Sequence, residues 1–146
     1  MPDVQFYTSE KVSQIVWPET ADGKYARRYL LPFLSDGPQA YIRNVHNTEL
    51  MVAQVGETIL PLTVTHFHPD NSYTCSPYSH YISYGGYEEV KRLGNPPVEA
   101  LIRAALHPVA WYFRRAGLDR VVYVNNWLLS TNLYPGLDEA TIRALA

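Results

Sequence analysis

The sequence predicts one mixed α/β domain: an antiparallel three-stranded meander, then helices, a further strand and a terminal helix. Three observations carry that expectation. Two β-rich runs, Glu49 to Val55 and Thr58 to Thr65, flank Gly56-Glu57, a pair suited to a type II′ hairpin turn. From Pro97 onward, Val98, Leu101, Ile102, Ala105, Val109 and Phe113 recur at helical spacing. Arg120 to Trp127 is rich in β-branched and aromatic residues, as a strand is.

At 146 residues the chain suits a single domain, long enough to bury a core without metals or disulfides. An apolar share of 47% against 18% charged is globular, not disordered. No apolar run approaches the roughly 18 residues of a membrane span, and no secretory leader opens the chain. Cys75 stands alone, so no internal disulfide forms and the reducing cytoplasm is the expected location. A net charge of −2, with both signs dispersed, argues against nucleic-acid and anionic-membrane partners. A small-molecule substrate is the partner expected, and self-association into a homo-oligomer stays open.

Taken in order, Val12 to Trp17 alternates loosely and reads as a short strand ended by Pro18. Ala21-Asp22-Gly23 reads as a turn. Lys24 to Leu34 carries Tyr25, Tyr29, Leu30 and Phe33 at helical spacing, with Pro32 inside. Gln39 to Val45 reads as the first meander strand, turned by His46-Asn47. Ser76-Pro77 supplies an N-cap and first position for a helix running to about Leu93, weakened by Gly85-Gly86. Gly94-Asn95-Pro96-Pro97 stops it, and Gly117 closes the next helix, which Pro108 would kink. Asp138 caps a last helix bearing Ile142 and Leu145. Helices of two turns rarely stand alone, so the chain is expected to be part of a longer protein.

Three groups of residues could carry chemistry. His66, His68 and Asp70 form an HxHxD turn after a strand, donors that suit zinc, iron or manganese. That turn resembles the HxHxDH metal-binding turn of the metallo-β-lactamase superfamily, except that Asn71 stands at the last position. The plain alternative is a polar loop closing a strand. Cys75 precedes a helix N-terminus, where the helix dipole would depress its pKa, with His66, His68 or His80 as base; otherwise it is a small buried apolar residue. Asn125, Asn126, Ser130, Thr131 and Asn132 follow a strand, with Trp127 and Tyr134 beside them. They would either orient a polar substrate or serve as turn and capping groups. The chain has 12 tyrosines, and Tyr73, Tyr78, Tyr81, Tyr84 and Tyr87 fall within 15 positions. They form either a half-buried aromatic face or a cleft wall. No GxxxxGK[ST], GxGxxG, CxxC or GxSxG motif occurs, which removes most nucleotide kinases, Rossmann dehydrogenases and α/β-hydrolases.

Asp70 to Tyr78 and Asn125 to Pro135 together resemble a group of bacterial proteins in the acyl-CoA N-acyltransferase (GNAT-like) superfamily. The resemblance spans about residues 40–146 and implies a GNAT-like fold, acyl-CoA as cofactor and a small amine or amino-acid-like acceptor. Under it, His66 or His68 would be the general base, with Cys75 a further catalytic candidate. Tyr78 or Tyr81 would protonate the departing thiolate. Tyr73, His80, Asn125, Asn126, Trp127, Ser130 and Asn132 would position the acceptor. The superfamily's pyrophosphate loop, Q/R-x-x-G-x-G/A, does not occur at His66–Cys75. The alternatives are a metal-dependent hydrolase on His66, His68 and Asp70, and a non-catalytic binding or assembly module. The acyltransferase reading needs the turn after Thr65 and the end of the Val121 strand to open onto one shared cavity.

Overall fold

A computed structural model describes residues 3–130 and 132–145. Four strands form one antiparallel sheet in chain order: β1 (Val4–Tyr7), β2 (Thr48–Val55), β3 (Thr58–Thr65) and β4 (Val121–Val124). The β2–β3 hairpin closes on Gly56-Glu57 with Val55 opposite Thr58; Gly56 takes φ 57° and Glu57 does not, as a type II′ turn requires. Pro61 sits inside β3 opposite Val52. Its carbonyl points to the β4 side, where it accepts the Asn126 N–H at 3.1 Å. The missing proline N–H therefore faces the side where β4 has already ended, and no ladder bond is lost.

Two sequence expectations fail at the sheet. Gln39–Val45 is not a strand: Gly37 and Pro38 start a 3₁₀ turn, and the Ile42 N–H returns to the Pro38 carbonyl at 2.9 Å. Ile42 and Val45 are three residues apart, a turn period and not an alternation, and both pack against Cys75 and Leu128. Val12–Trp17 is not a strand either, since Ser9–Gln14 is a 3₁₀ helix. The third meander strand is β1, paired with β2 from Val4↔Val55 to Tyr7↔Val52.

Helix α1 (Ala21–Asp36) packs Ala26, Leu30 and Leu34 on one sheet face, against Leu50, Val52, Ile59 and Trp127. Each such leucine, isoleucine or valine contributes about 1.5–3 kcal/mol when fully buried. Ala21-Asp22-Gly23 is the first turn of this helix: Thr20 Oγ1 accepts the Gly23 N–H at 3.1 Å. A Cβ on Gly23 would lie 2.2 Å from the Pro18 carbonyl oxygen, which is why glycine stands in a helix start. On the opposite face, Leu137 and Leu145 cover Ala53, Leu60 and Leu62. Leu145 ends α4 (Glu139–Leu145), which Asp138 caps by accepting the Thr141 N–H at 2.7 Å.

Between β3 and β4 the chain builds a helical pair. Ser76 Oγ accepts the Ser79 N–H at 3.1 Å, as the sequence predicts. The helix then widens into a π-helix (Ser79–Glu88) and finishes as α2 (Glu89–Lys91). Helix α3 (Pro96–Arg115) runs through Pro108 and closes in a Schellman motif. The Leu118 N–H reaches the Phe113 carbonyl at 2.9 Å, and the Gly117 N–H reaches that of Arg114 at 3.1 Å. Gly86 lets the pair approach closely, since a Cβ there would meet Leu106 at 2.9 Å. The predicted apolar face of α3 is only partly the buried one. Ala110 is buried and Phe113 packs beside it against Tyr78 and Ile82, whereas Leu101, Val98 and Val109 are exposed. Among the described residues no helix is long and apolar enough to cross a membrane.

Candidate functional site

The β3–β4 register decides the first question. Thr65 lies opposite Val121 and Leu62 opposite Val124. His66 and His68 therefore leave one end of the strand pair and Asn125 leaves the other, five residues or about 17 Å apart along the strand. The imidazole loop and Asn125 therefore do not share one end of the sheet.

The His66–Asn71 loop is held by hydrogen bonds to the Asn47 backbone and to side chains. The His66 N–H donates to the Asn47 carbonyl at 2.8 Å. The Asp70 N–H donates to His68 Nδ1 at 3.2 Å. The His68 ring lies 4.2 Å from that of His46. Asn71, at the position where a metal turn would carry histidine, is buried and works as a clamp. Its Oδ1 accepts the His46 N–H at 2.6 Å, and its Nδ2 donates to the His66 carbonyl at 3.4 Å. Among the described residues no group of three or more His, Cys, Asp or Glu side chains is placed to hold a metal. The Asn71 clamp and the His66–Asn47 bond close the end of β3 at this turn.

Cys75 is fully buried between Val45 and Leu128. Burial pushes its thiol above the ordinary 9.0, opposed by hydrogen bonds from Thr48, Thr74 and the Ser72 backbone. The expected low-pKa nucleophile is thus a core residue, because desolvation outweighs the nearby helix end. Tyr73, His80, Tyr81 and Tyr84 form a surface aromatic cluster: Tyr73 lies 5.7 Å from the His80 ring and 5.3 Å from the Tyr84 ring. The Tyr73 and Ser130 hydroxyls share a 2.8 Å hydrogen bond.

The asparagine cluster resolves toward structure. Asn126 Nδ2 donates to Thr63 Oγ1 at 2.8 Å and to the Thr74 carbonyl at 3.0 Å, while its Oδ1 accepts the Leu128 N–H at 3.0 Å. Asn125, at φ 58°, donates to the Leu133 carbonyl at 2.6 Å and accepts the Trp127 indole N–H at 2.8 Å. Asn132 accepts the Trp127 backbone N–H at 3.1 Å. An amide with both its donor and acceptor sides engaged has little left for a ligand. Thr131 lies outside the described residues.

What the cluster holds is Trp127. With Tyr25, Tyr134, Asp22 and Glu57, this indole lines a cleft of about 430 Å³ over the start of α1. The Tyr25 ring lies 6.1 Å from Trp127. Aromatic faces and carboxylates together suit a cation. No family model, curated protein or solved structure matches this chain. The chemistry of the clefts therefore carries the functional argument.

A second cleft, of about 710 Å³, lies between the π-helix and α3. Both volumes fall in the range of about 300–1,000 Å³ common for ligand pockets. Phe67, Tyr78, Tyr87 and Trp111 give it aromatic walls, and His107, Arg114, Arg115 and Arg120 give it donors. Arg114 lies 4.5 Å over the Phe67 ring and Arg115 lies 5.9 Å over Trp111. Asp119 is buried, with Arg114 Nε at 3.6 Å and Arg120 Nε at 3.8 Å. Both separations exceed hydrogen-bond reach, and Asp119 Oδ1 has no hydrogen-bond partner among the described residues. The negative end of the α3 dipole opposes an anion here by about 0.3–1 kcal/mol. One charge-assisted hydrogen bond, about 1.5–3 kcal/mol, outweighs it.

Of the predicted catalytic residues, only Tyr78 lines this cleft. Burial holds its phenol above the ordinary 10.0; Tyr87 and Asp119 add to that, and Arg114 opposes it. Sequence reasoning missed the arginines and Asp119. Their signal was the Arg114-Arg115 pair at the end of α3 and Asp119-Arg120 just across the Gly117 turn.

Proposed function

We propose that the chain is an acyltransferase-like domain acting on a small amine or amino-acid-like acceptor, which sits in the Trp127 cleft. The observation that supports this reading best is the cleft's lining: Trp127, Tyr25 and Tyr134 as aromatic walls, with Asp22 and Glu57 as carboxylates. A protonated amine gains about 0.5–2 kcal/mol over an aromatic face and about 0.2–1 kcal/mol from each exposed carboxylate. Before attack the amine must lose a proton. In this cleft Asp22 or Glu57 takes that proton, because His66 and His68 lie at the far end of β3. From β2 onward the order of strands, helix, strand and helix that the acyltransferase resemblance implies is kept, with β1 and not Gln39–Val45 as the remaining strand of the three. Helix α3 between β3 and β4 is an addition to that order.

Calorimetry with acyl-CoA, and thiol release in the presence of primary amines, test the reading. Amine-dependent thiol release that falls in Asp22→Asn and Glu57→Gln is the expected result. Absence of acyl-CoA binding ends the acyltransferase reading. Amine binding without acyl-CoA binding would leave the second reading, a non-catalytic ligand-binding module. That reading is favoured by the absence of the pyrophosphate loop motif at His66–Cys75, a stretch that holds no glycine.

A further inference from the structure

The cleft between the π-helix and α3 has a charge opposite to that of the Trp127 cleft, and its chemistry is independent of any acyltransferase reading. Three guanidiniums, on Arg114, Arg115 and Arg120, face it against one carboxylate, Asp119. Among the described residues, no guanidinium N–H of these three donates a hydrogen bond, and Arg115 has no acidic partner. Arginine presents its donors as a planar fork that matches an oxyanion in two-point contact. The walls set the rest of the ligand. Phe67, Trp111, Tyr78 and Tyr87 offer flat apolar surface beside the guanidiniums, which suits a flat body more than a bare ion.

We infer that this cleft binds a small molecule carrying an oxyanion, phosphate or carboxylate, on a flat apolar body. Arg114 and Arg115 engage the oxyanion, Arg120 adds a third positive charge, and Phe67 and Trp111 hold the body. Asp119 sets the arginines' position and limits affinity by its own negative charge. Replacing it with the isosteric amide therefore tightens binding, the opposite of what structural damage would do.

The test is isothermal titration calorimetry of the whole chain with phenyl phosphate, benzoate, phenol and inorganic phosphate. Phenyl phosphate or benzoate is expected to bind, whichever is tighter naming the natural oxyanion, with phenol and inorganic phosphate each weaker. Arg114→Gln and Arg115→Gln are expected to weaken binding by about tenfold or more, the scale of one lost charge-assisted hydrogen bond. Asp119→Asn is expected to strengthen it. Rising salt is expected to weaken it in the wild-type chain, a readout that needs no variant to fold. The inference is overturned if neither phenyl phosphate nor benzoate binds. It is equally overturned if phenol binds as well as both, or if folded Arg115→Gln binds unchanged.

Discussion

The two clefts are built by opposite strategies. Around Trp127, polar side chains are consumed in construction: Asn125, Asn126 and Asn132 spend their amides on carbonyls, N–H groups and the indole. Beside α3, the guanidiniums of Arg114, Arg115 and Arg120 remain half or more exposed, or lie against aromatic rings, with Asp119 beyond hydrogen-bond reach. A cluster of polar residue types therefore does not mark a site by itself. What marks one is hydrogen-bonding capacity left over after the fold has been satisfied.

Removing a consumed amide should be the most damaging change in either region. Asn126→Ala leaves the Thr63 hydroxyl, the Thr74 carbonyl and the Leu128 N–H short of a partner. Such orphaned groups cost about 1–3 kcal/mol each, so a loss of about 3 kcal/mol or more in urea-unfolding stability is expected. A loss under about 1 kcal/mol would break the contrast, because a spent amide would then be dispensable. Asn125 sharpens it further. At φ 58°, Asn125→Ala loses the amide and adds backbone strain, while Asn125→Gly loses the amide alone. The alanine variant should be less stable than the glycine variant by about 1–2 kcal/mol. Equal stabilities would mean that the loop relaxes and the amide does not enforce its geometry.

A smaller effect follows from pH. Burial holds the Cys75 thiol above 9.0 and the Tyr29, Tyr78 and Tyr123 phenols above 10.0. As pH rises past these values the unfolded chain releases its protons first, so the native state binds more of them and stability falls. Below about pH 9 the contribution is fully present. Urea midpoints should fall between about pH 9 and 11, and Tyr78→Phe should blunt the fall. A midpoint that stays flat to about pH 11 would mean that these groups titrate as they do in water.

The legible parts of this fold are those that local chemistry determines. Gly56-Glu57 between two β-rich runs, Ser76-Pro77 at a helix start, Gly117 at a helix end and Asp138 as a cap all stand where the residue types place them. Long-range terms decided the rest. Strand β1 pairs with residues more than forty positions away, and four residues carry too short a pattern to announce that. Gln39–Val45 contains strand-forming residues, but Pro38 and the need to bury Ile42 with Val45 turn it. At the sites, His66, His68 and Asn125 are near one another in type and not in space, because antiparallel pairing sends the exits of β3 and β4 in opposite directions. The arginine cleft exists only once the π-helix lies against α3, a contact for which Gly86 is the faint sequence trace.

The smallest expected effect tests the comparison most directly. Arg115 is exposed, has no acidic partner among the described residues, and lies 5.9 Å over Trp111, itself 62% exposed. A cation–π contact at so open a site contributes at most about 0.5–1 kcal/mol. Glutamine keeps most of the stem that covers the ring. Arg115→Gln should therefore leave thermal stability within about 1 kcal/mol of the original chain, against the large loss in Asn126→Ala. If Arg115→Gln proved as destabilising as Asn126→Ala, the guanidinium would be a structural group like the amides. Its donors would then already be committed to the fold, and none would remain for a ligand.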